Sequence, residues 1–328
     1  MGPSVQVVEA IRVNIDTITR YPDPASRVLR ETVSHWTGLP EEMIVAGNGA
    51  VEITYLLMKL LKPRLVLIPA PTFSEYEIAV KISGGCVKDL PLDEGRGFAI
   101  DKHEIYSSWE ECDLLFICNP NNPTGVLTTR KDLVEIIENA AQAGKTVVVD
   151  EAFMDFVRDR EGFTVADLVP QYDNLFVLYS LTKFFAIPGL RLGIGLGNPG
   201  VIDRLNQIRD PWNVNCFAQI AGTASLLDET YIKATVAYVS AEKDRLFGEI
   251  RAIKGFLPLY PCVNYIFINI EETGYSSTEI CHLLGQQGIL VRDCSSYKNL
   301  RPVYIRAAVK KREENDRLIG ALRQLGRK

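Results

Sequence analysis

The stretch Ser180-Leu-Thr-Lys-Phe-Phe-Ala-Ile-Pro-Gly-Leu-Arg-Leu-Gly193 decides how the rest of the chain is interpreted. It follows an apolar run, 175–179, that predicts a buried strand. Within one short loop it offers two hydroxyl groups, a lysine, a Pro-Gly break and an arginine. Hydroxyl oxygens and a planar guanidinium match the geometry of a phosphate, and a lysine amine can react with an aldehyde. The loop therefore predicts a ligand that carries both groups.

One cofactor combines these two groups. Pyridoxal 5'-phosphate carries a phosphate, and its aldehyde forms a covalent bond with a lysine amine. Lys183 is the expected anchor, and the two hydroxyls and Arg191 are the expected phosphate ligands. An isolated Ser-x-Thr-Lys sequence is usually only a turn with a solvated lysine. The attached Pro188-Gly-Leu-Arg-Leu-Gly193 makes this pattern far more specific.

Length and charge limit the classes of protein that need to be considered. With 328 residues the chain can bury a large core, and domain sizes suggest roughly two domains. Lysine and arginine number 36 against 41 aspartates and glutamates, so the net charge is −5. This balance argues against a nucleic-acid-binding or membrane-surface protein. No apolar run is long enough to span a bilayer, and the N-terminal residues do not resemble a secretion signal.

The cysteines and histidines give no indication of a metal site. Seven cysteines are scattered without a paired Cys-x-x-Cys spacing, which favours reduced thiols in a cytoplasmic protein. The three histidines fall in separate predicted elements, which favours ordinary surface or core histidines over metal ligands. They are His35, His103 and His282. We therefore predict a cytoplasmic protein without a metal ion.

Apolar strands alternate with helices over the first two thirds of the chain. The predicted strands are 65–69, 86–90, 113–118, 146–149, 175–179 and 192–196. Buried strands separated by helices predict an α/β fold with a doubly wound, mostly parallel sheet. Ligands bind such sheets at the carboxyl ends of the strands. Asn119, Asp150 and Ser180 each come directly after a predicted strand, so we expect them to share one site.

Beyond Asn215 the pattern becomes helical to about residue 253 and then changes to a small α+β unit. That unit has predicted strands 264–270, 289–292 and 303–309, a helix 278–286 and a closing helix. We predict that residues 1–45 form the N-terminal segment of the small domain and a dimer arm. Residues 46–230 should form the large cofactor-binding domain, and residues 231–328 the small C-terminal α+β domain.

Three further motifs and one aromatic residue can contact other parts of the same cofactor. Gly47-Asn-Gly-Ala50 opens a predicted helix, whose unpaired N–H groups make an anion site. Asn119-Pro-Asn-Asn-Pro-Thr-Gly125 is a rigid loop whose amides can donate to a phenolate oxygen. Asp150 can pair with a protonated pyridine nitrogen, and Phe73 can lay its ring on the heterocycle. Each feature alone is commonly a cap, a turn or a core residue, but their combination is not expected by chance.

With these motifs in this order, the chain resembles the fold-type I pyridoxal-phosphate enzymes of the class I and II aminotransferase family over nearly its whole length. The resemblance implies that Lys183 binds the cofactor covalently and that Asp150 pairs with its ring nitrogen. It implies that Asn122 contacts the 3'-oxygen and that Phe73 stacks on the ring. Residues from three motifs would hold the phosphate: Gly49, Ala50, Ser180, Thr182 and Arg191.

Two subfamilies of this group are similar in further motifs. Histidinol-phosphate aminotransferases share Tyr21-Pro-Asp-Pro24, whose tyrosine would reach the phosphate of the partner subunit's cofactor in a homodimer. Threonine-phosphate decarboxylases of cobalamin biosynthesis match better, and Phe153 replaces a tyrosine that many aminotransferases place against the 3'-oxygen. The matching segments are 69–76, 150–156, 181–193, 211–215, 291–297 and 304–309. Such decarboxylases usually begin earlier, with a His-Gly-Gly segment and an Asn-x-Asn-Pro stretch that close over the substrate. We expect part of the substrate-phosphate site and lid to be absent from this chain.

Arg292 and Arg306 are the predicted substrate ligands. Both alternate with apolar residues in predicted strands of the small domain, so both should point to one face. Together they could clamp two anionic groups of a phosphorylated amino acid. The favoured interpretation is decarboxylation of L-threonine O-3-phosphate to (R)-1-amino-2-propanol O-2-phosphate. An aminotransferase of the histidinol-phosphate type and a non-catalytic cofactor-binding module are the alternatives.

Overall fold

A central sheet of seven strands organises the larger part of the chain in the computed structural model, which describes residues 2–326. The order of its strands is β1-β7-β6-β5-β4-β2-β3. Strands β2 to β6 pair in parallel, whereas β7 is antiparallel to both β6 and β1. The predicted α/β fold with a mostly parallel sheet is confirmed, and β1 is a strand that the sequence pattern did not indicate. The bounds are β1 Ile44–Gly47, β2 Leu65–Ala70, β3 Cys86–Pro91, β4 Leu114–Cys118, β5 Thr146–Asp150, β6 Leu175–Ser180 and β7 Gly193–Leu196.

Helices cover both faces of this sheet, as a doubly wound fold requires. One face packs on α6 and α9, for example through Ile136 and Ala218, and the other on α3 and α8, through Leu57 and Leu205. None of the helices in the described part of the chain is long and apolar enough to cross a membrane. The helices are α1 Val5–Val13, α2 Arg27–Thr37, α3 Ala50–Leu61, α4 Glu75–Ile82, α5 Lys102–Tyr106, α6 Arg130–Gln142, α7 Leu181–Phe184, α8 Pro199–Ile208, α9 Cys216–Leu227, α10 Glu229–Arg251, α11 Ser277–Gly285 and α12 Arg312–Leu325.

A second, antiparallel sheet of four strands forms in the C-terminal part, in the order β10-β11-β9-β8. It packs on α10, α11 and α12 through a separate apolar core that includes Ile250, Ile280 and Leu322. This arrangement agrees with the predicted small α+β unit. Its strands are β8 Leu257–Pro258, β9 Tyr265–Asn269, β10 Arg292–Asp293 and β11 Tyr304–Ala308.

The predicted strand 289–292 is wrong over most of its length. Only Arg292 and Asp293 pair with β11, and Leu290 is 88% exposed. The backbone N–H of Ile289 donates to the carbonyl oxygen of Leu284 at 3.0 Å, so the end of α11 uses the group that a strand would have paired. The apolar residues 289–291 therefore follow the C-terminal end of α11, and the chain joins the sheet only at Arg292.

The N-terminal helices α1 and α2 pack against α9, and Val7 and Leu29 belong to the core on that face of the large sheet. The turn that contains Tyr21 lies between them. Strand β1 begins at Ile44 and enters the large sheet, and α10 runs without interruption from Glu229 to Arg251. The expected division into residues 1–45, 46–230 and 231–328 stays a prediction.

Candidate active site

A cavity of about 420 Å³ opens where the carboxyl ends of the large-sheet strands face the small sheet. Strands β5 and β6 end at Asp150 and Ser180, and β10 and β11 bring two arginines to the opposite wall. All of the predicted site residues except Tyr21 line this one cavity. They are Gly49, Ala50, Phe73, Asn122, Asp150, Ser180, Thr182, Lys183, Arg191, Arg292 and Arg306.

One end of the cavity is built to receive an anion. Helix α3 begins there at Ala50, so its unpaired N–H groups and the positive end of its dipole face the cavity. A Cβ on Gly49 would lie 2.6 Å from Nη2 of Arg191, which shows how closely the guanidinium approaches the backbone. The hydroxyls of Ser180 and Thr182 lie 2.9 Å apart beside them. Arg191 has φ +60, an unfavourable conformation for a non-glycine residue, of the kind that functional sites maintain.

Three arginines around the cavity lack a carboxylate partner. Within residues 2–326, no aspartate or glutamate forms an ion pair with Arg191, Arg292 or Arg306. Ten of the seventeen other arginines within residues 2–326 form an ion pair with a carboxylate. An uncompensated cluster of cations in a cleft attracts anionic ligands. The cavity is therefore suited to a ligand or ligands with several negative charges.

Lys183 lies in the short helix α7, directly after β6, and its side chain is accessible from the cavity. Desolvation lowers the pKa of its amine, and the positive charges of Arg191 and Arg306 lower it further, while Asp150 acts in the opposite direction. A lower pKa leaves a larger fraction of the amine unprotonated at neutral pH. The unprotonated amine is the form that attacks an aldehyde.

Asp150 is a buried carboxylate at the end of β5. The hydroxyl of Tyr76 donates to Oδ2 at 2.5 Å, and the backbone N–H of Ala152 donates to Oδ1 at 2.9 Å. Burial raises the pKa of Asp150, although both hydrogen bonds and the charge of Lys183 oppose that rise. A cationic group in the cavity would stabilise the ionised carboxylate. The motif Val147-Val-Val-Asp gave no indication of Tyr76, which lies in α4 far away in sequence.

The side-chain oxygen of Asn122 is already occupied, which leaves its amide NH₂ group as the donor available to a ligand. That oxygen accepts a hydrogen bond from the hydroxyl of Tyr297 at 3.1 Å and another from Nη1 of Arg306. Phe73 stands nearby, with its ring edge-on to Tyr76 at a centroid distance of 5.6 Å. An N–H donor and an aromatic face are thus available to a planar ring.

Arg292 and Arg306 are directly opposite each other in the β10–β11 pair, so the prediction that they share a face is confirmed. Each guanidinium lies over a tyrosine ring, Arg306 over Tyr265 at 4.7 Å and Arg292 over Tyr297 at 5.7 Å. Such stacking fixes a cationic plane while it leaves N–H groups for an anion. Neither tyrosine was given a role from the sequence, although Tyr297 ends the matching segment 291–297, because their contacts with the arginines depend on the folded structure.

Tyr21 does not reach this cavity from its own chain. It is 78% exposed and stacks on Trp212 with ring centroids 4.3 Å apart. Its side chain lies beside a separate apolar groove formed by α1, α2 and α9. The contact with a partner subunit's cofactor therefore stays a prediction.

The residues present fit pyridoxal 5'-phosphate. The close approach of Arg191 to Gly49, with the two hydroxyls, suits the phosphate. Lys183 supplies an amine of lowered pKa, and Asp150 supplies a buried carboxylate that needs a cation. Phe73 lies in the same wall as an aromatic face. No feature of the cavity conflicts with this cofactor.

Sequence and structural similarity link the chain to known enzymes. The sequence model of aminotransferase class I and II matches residues 3–322. A provisionally named threonine-phosphate decarboxylase of Caldanaerobacter subterraneus subsp. tengcongensis is 38% identical over 325 residues, which are 99% of this chain and 88% of that protein. The threonine-phosphate decarboxylase of Salmonella typhimurium is 33% identical over 327 residues, again 99% of this chain and 88% of that protein. The solved structure of the histidinol-phosphate aminotransferase of Clostridium acetobutylicum has a TM-score of 0.93 at 30% identity and covers 100% of this chain and 97% of that one.

Proposed function

Because the chain belongs to the aminotransferase class I and II family and its cofactor is pyridoxal 5'-phosphate, we propose that it is a decarboxylase of L-threonine O-3-phosphate. The reaction breaks the bond between Cα and the carboxylate, releases carbon dioxide and adds a proton to Cα. The product is (R)-1-amino-2-propanol O-2-phosphate, an intermediate of cobalamin biosynthesis. The 38% identity to a relative with this name supports the choice.

The observation that carries this proposal is the pair of cross-strand arginines without carboxylate partners. Arg292 and Arg306 stand side by side on the cavity wall, and each is held over a tyrosine ring. Two adjacent guanidiniums favour a substrate with two anionic groups. L-Threonine O-3-phosphate carries a carboxylate and a phosphate, whereas histidinol phosphate carries only a phosphate. The arginines are the proposed ligands of these two groups.

The roles of the other residues follow from their chemistry. We assign Lys183 as the covalent anchor of the cofactor and as the group that moves a proton at Nζ. Asp150 holds the cofactor's ring nitrogen, Asn122 donates to its 3'-oxygen, and Phe73 stacks on its ring. The cofactor, when bound, supplies an electron sink for whichever Cα bond stands perpendicular to its ring. We assign the phosphate of the cofactor, not that of the substrate, to the anion site formed by Gly49, Ala50, Ser180, Thr182 and Arg191.

Orientation by the two arginines would decide between reactions. Arg306 makes a hydrogen bond to Asn122, so an anion bound by this guanidinium is fixed relative to the cofactor site. The two guanidiniums would hold the substrate carboxylate in one orientation relative to the cofactor, and that orientation would decide whether carbon dioxide or the Cα proton leaves. We assign Arg292 and Arg306 the orientation that favours loss of carbon dioxide.

An aminotransferase of the histidinol-phosphate type is the second candidate. The TM-score of 0.93 and 30% identity to the Clostridium acetobutylicum enzyme favour it. Such an enzyme also binds phosphorylated substrate beside the same cofactor. The geometry of the cofactor site is compatible with either reaction, so the products must distinguish them.

We further propose a cytoplasmic homodimer in which Tyr21 of each subunit reaches the phosphate of the partner subunit's cofactor. The apolar groove beside Tyr21, between α1, α2 and α9, supports a self-association surface here. Two exposed apolar residues, Val28 and Leu227, line the groove. A two-fold axis would let this one patch serve both active sites.

Product analysis tests the proposed function. The holoenzyme is incubated with L-threonine O-3-phosphate, with and without 2-oxoglutarate, and carbon dioxide and keto acid are measured. We expect carbon dioxide in equal amounts under both conditions, and no product from Lys183→Ala. Keto acid formation that requires 2-oxoglutarate, without carbon dioxide, would replace the decarboxylase by the aminotransferase.

A further inference from the structure

Tyr297 contacts both the cofactor side and the substrate side of the cavity. Its hydroxyl donates to Oδ1 of Asn122 at 3.1 Å, and its ring lies under the guanidinium of Arg292 at 5.7 Å. It lines the cavity itself. Asn122 follows β4 in the large sheet and Arg292 belongs to β10 in the small sheet. Tyr297 therefore joins the two walls.

The hydroxyl contact determines which way the Asn122 amide faces. An asparagine side chain offers one acceptor oxygen and one NH₂ donor, and it can rotate to exchange them. Two donors, Tyr297 and Arg306, converge on the oxygen, so the NH₂ group is the part of the amide left for a ligand. Arg306 is also a proposed substrate ligand, so its N–H groups serve the anion as well as the amide. The hydroxyl of Tyr297 serves the amide and has no proposed substrate contact.

The ring contact holds the substrate arginine. Arg292 is otherwise restrained by one hydrogen bond, from Nη2 to the hydroxyl of Ser296 at 2.9 Å. The adjacent residue Tyr297 places its ring face against the same guanidinium. One short segment therefore fixes both the position and the plane of Arg292, which reduces the conformational freedom lost on anion binding.

The segment that carries Tyr297 is fastened to the large domain. Nζ of Lys298 lies 2.8 Å from Glu77 in α4 and 3.0 Å from Asp89 in β3. The backbone N–H of Tyr297 donates to the carbonyl oxygen of Cys294 at 3.1 Å, and Cys294 in turn donates to Tyr304 in β11. Burial raises the pKa of the Tyr297 phenol, so it stays a protonated donor at neutral pH. The tyrosine is thus held from both sides.

From these contacts we infer that Tyr297 is a positioning residue that sets the donor direction of Asn122 and the plane of Arg292, so that one side chain adjusts cofactor and substrate sites together. The inference rests on the proposed cofactor and substrate sites. Its two contacts can be separated by mutation, because phenylalanine keeps the ring and removes the hydroxyl, whereas leucine removes both.

The test compares Tyr297→Phe and Tyr297→Leu with the wild-type holoenzyme and with Tyr260→Phe. Tyr260 is a matched control, since its hydroxyl donates to Asp244 at 3.0 Å on the surface. Three quantities are measured: the dissociation constant of pyridoxal phosphate, the pH midpoint of the visible absorption of the bound cofactor, and KM and kcat with L-threonine O-3-phosphate. Melting temperatures confirm that the variants are folded.

For Tyr297→Phe we expect a cofactor dissociation constant about 2- to 10-fold higher, the effect of one lost hydrogen bond. The pH midpoint should rise, because a less firmly held N–H donor stabilises an oxyanion less well. KM should stay within about 2-fold in this variant and rise about 2- to 5-fold further in Tyr297→Leu, the magnitude of an exposed cation–π contact.

Unchanged cofactor affinity and pH midpoint in both variants would overturn the inference, as would an equal effect of Tyr260→Phe. The cofactor measurements need no turnover, so they remain decisive if L-threonine O-3-phosphate is not the substrate. In that case wild-type protein would release no carbon dioxide, whereas the Tyr297 variants would still bind the cofactor more weakly. Failure of the inference and failure of the proposed function are thereby distinguished.

Discussion

Of the two proposed substrate arginines, Arg306 is the one whose loss we expect to be more damaging to substrate use. It stacks on Tyr265, donates to Asn122 and has no carboxylate partner within the described residues 2–326, so its charge is available to the substrate. Arg306→Ala should lower kcat/KM. The corresponding loss of transition-state stabilisation should be about 2–5 kcal/mol, the range for removal of one partner of a buried ion pair. Steady-state kinetics measure the effect. Arg301→Ala is the control, because Arg301 pairs with Glu94 at the surface. Normal turnover by Arg306→Ala would show that the clamp is misassigned.

Glu151, the neighbour of Asp150, should give the protein a pH-dependent stability. It is buried, accepts hydrogen bonds from Thr164 and the N–H of Val165, and burial raises its pKa to about 7 from 4.5. An acid with a raised pKa in the folded state stabilises that state below its unfolded pKa and loses this contribution as pH rises to the folded pKa.

Melting temperatures measured between about pH 4.5 and 7 should test this behaviour of Glu151. In the wild type, the contribution of Glu151 to the stability of the folded protein should decline as pH rises through that window. The variant Glu151→Gln has no ionisable group at this position and should not show the decline. The melting temperature of the wild type should therefore fall relative to that of Glu151→Gln as pH rises. A gap between the two melting temperatures that stays constant from pH 4.5 to 7 would contradict the assignment.

At this scale, the residues that could be predicted were those in motifs. The segment 180–193 around Lys183 combines two hydroxyls, a lysine, a Pro-Gly break and an arginine, so its cofactor chemistry could be predicted from the sequence. Tyr76, Tyr265 and Tyr297 were not identified, because each contacts its partner from a different element. Their roles depend on tertiary distance, which a single sequence does not encode in any local spacing.

At the scale of elements, the start of α3 should be intolerant of any side chain at Gly49. That residue has φ +82, and a Cβ would approach Arg191 to 2.6 Å. Gly49→Ala should therefore lower stability by about 1–3 kcal/mol through strain and displace the guanidinium, weakening cofactor binding. Denaturant unfolding and cofactor titration measure the two effects.

Gly84→Ala separates these two causes. Gly84 has φ +88, but nothing lies within 4 Å of a Cβ there. This variant should show the strain alone, with unchanged cofactor affinity. Equal cofactor affinities for Gly49→Ala and Gly84→Ala would mean that Arg191 does not hold the cofactor against the start of α3.

Elements differed in how well the sequence predicted them. Long apolar strands such as β4 and β6 lie within a residue or so of their predicted bounds, because all of their residues are buried. The run 289–292 failed because apolar residues also close helix α11, and only tertiary pairing decides between the two outcomes. Strand β1 was not predicted because it has only four residues and runs directly into the glycine motif.

At the scale of the whole molecule, we expect a homodimer whose active sites are completed by Tyr21. Sedimentation should give about twice the chain mass of 36.6 kDa. Tyr21→Phe should leave the dimer intact, because its ring can still stack on Trp212, yet weaken cofactor binding about 2- to 10-fold through the lost hydroxyl. A monomer that retains the cofactor fully would contradict this assembly.

The most direct measurement compares kcat/KM of the holoenzyme for three compounds. They are L-threonine O-3-phosphate, L-threonine and histidinol phosphate, the last assayed with 2-oxoglutarate as its partner substrate. L-Threonine lacks the phosphate, and histidinol phosphate lacks the carboxylate. Because Arg292 and Arg306 are proposed to bind two anions at once, the first compound should be preferred over each of the others by about 30-fold or more, from at least about 2 kcal/mol per lost charge contact. Turnover of histidinol phosphate at an equal or higher kcat/KM would contradict the account.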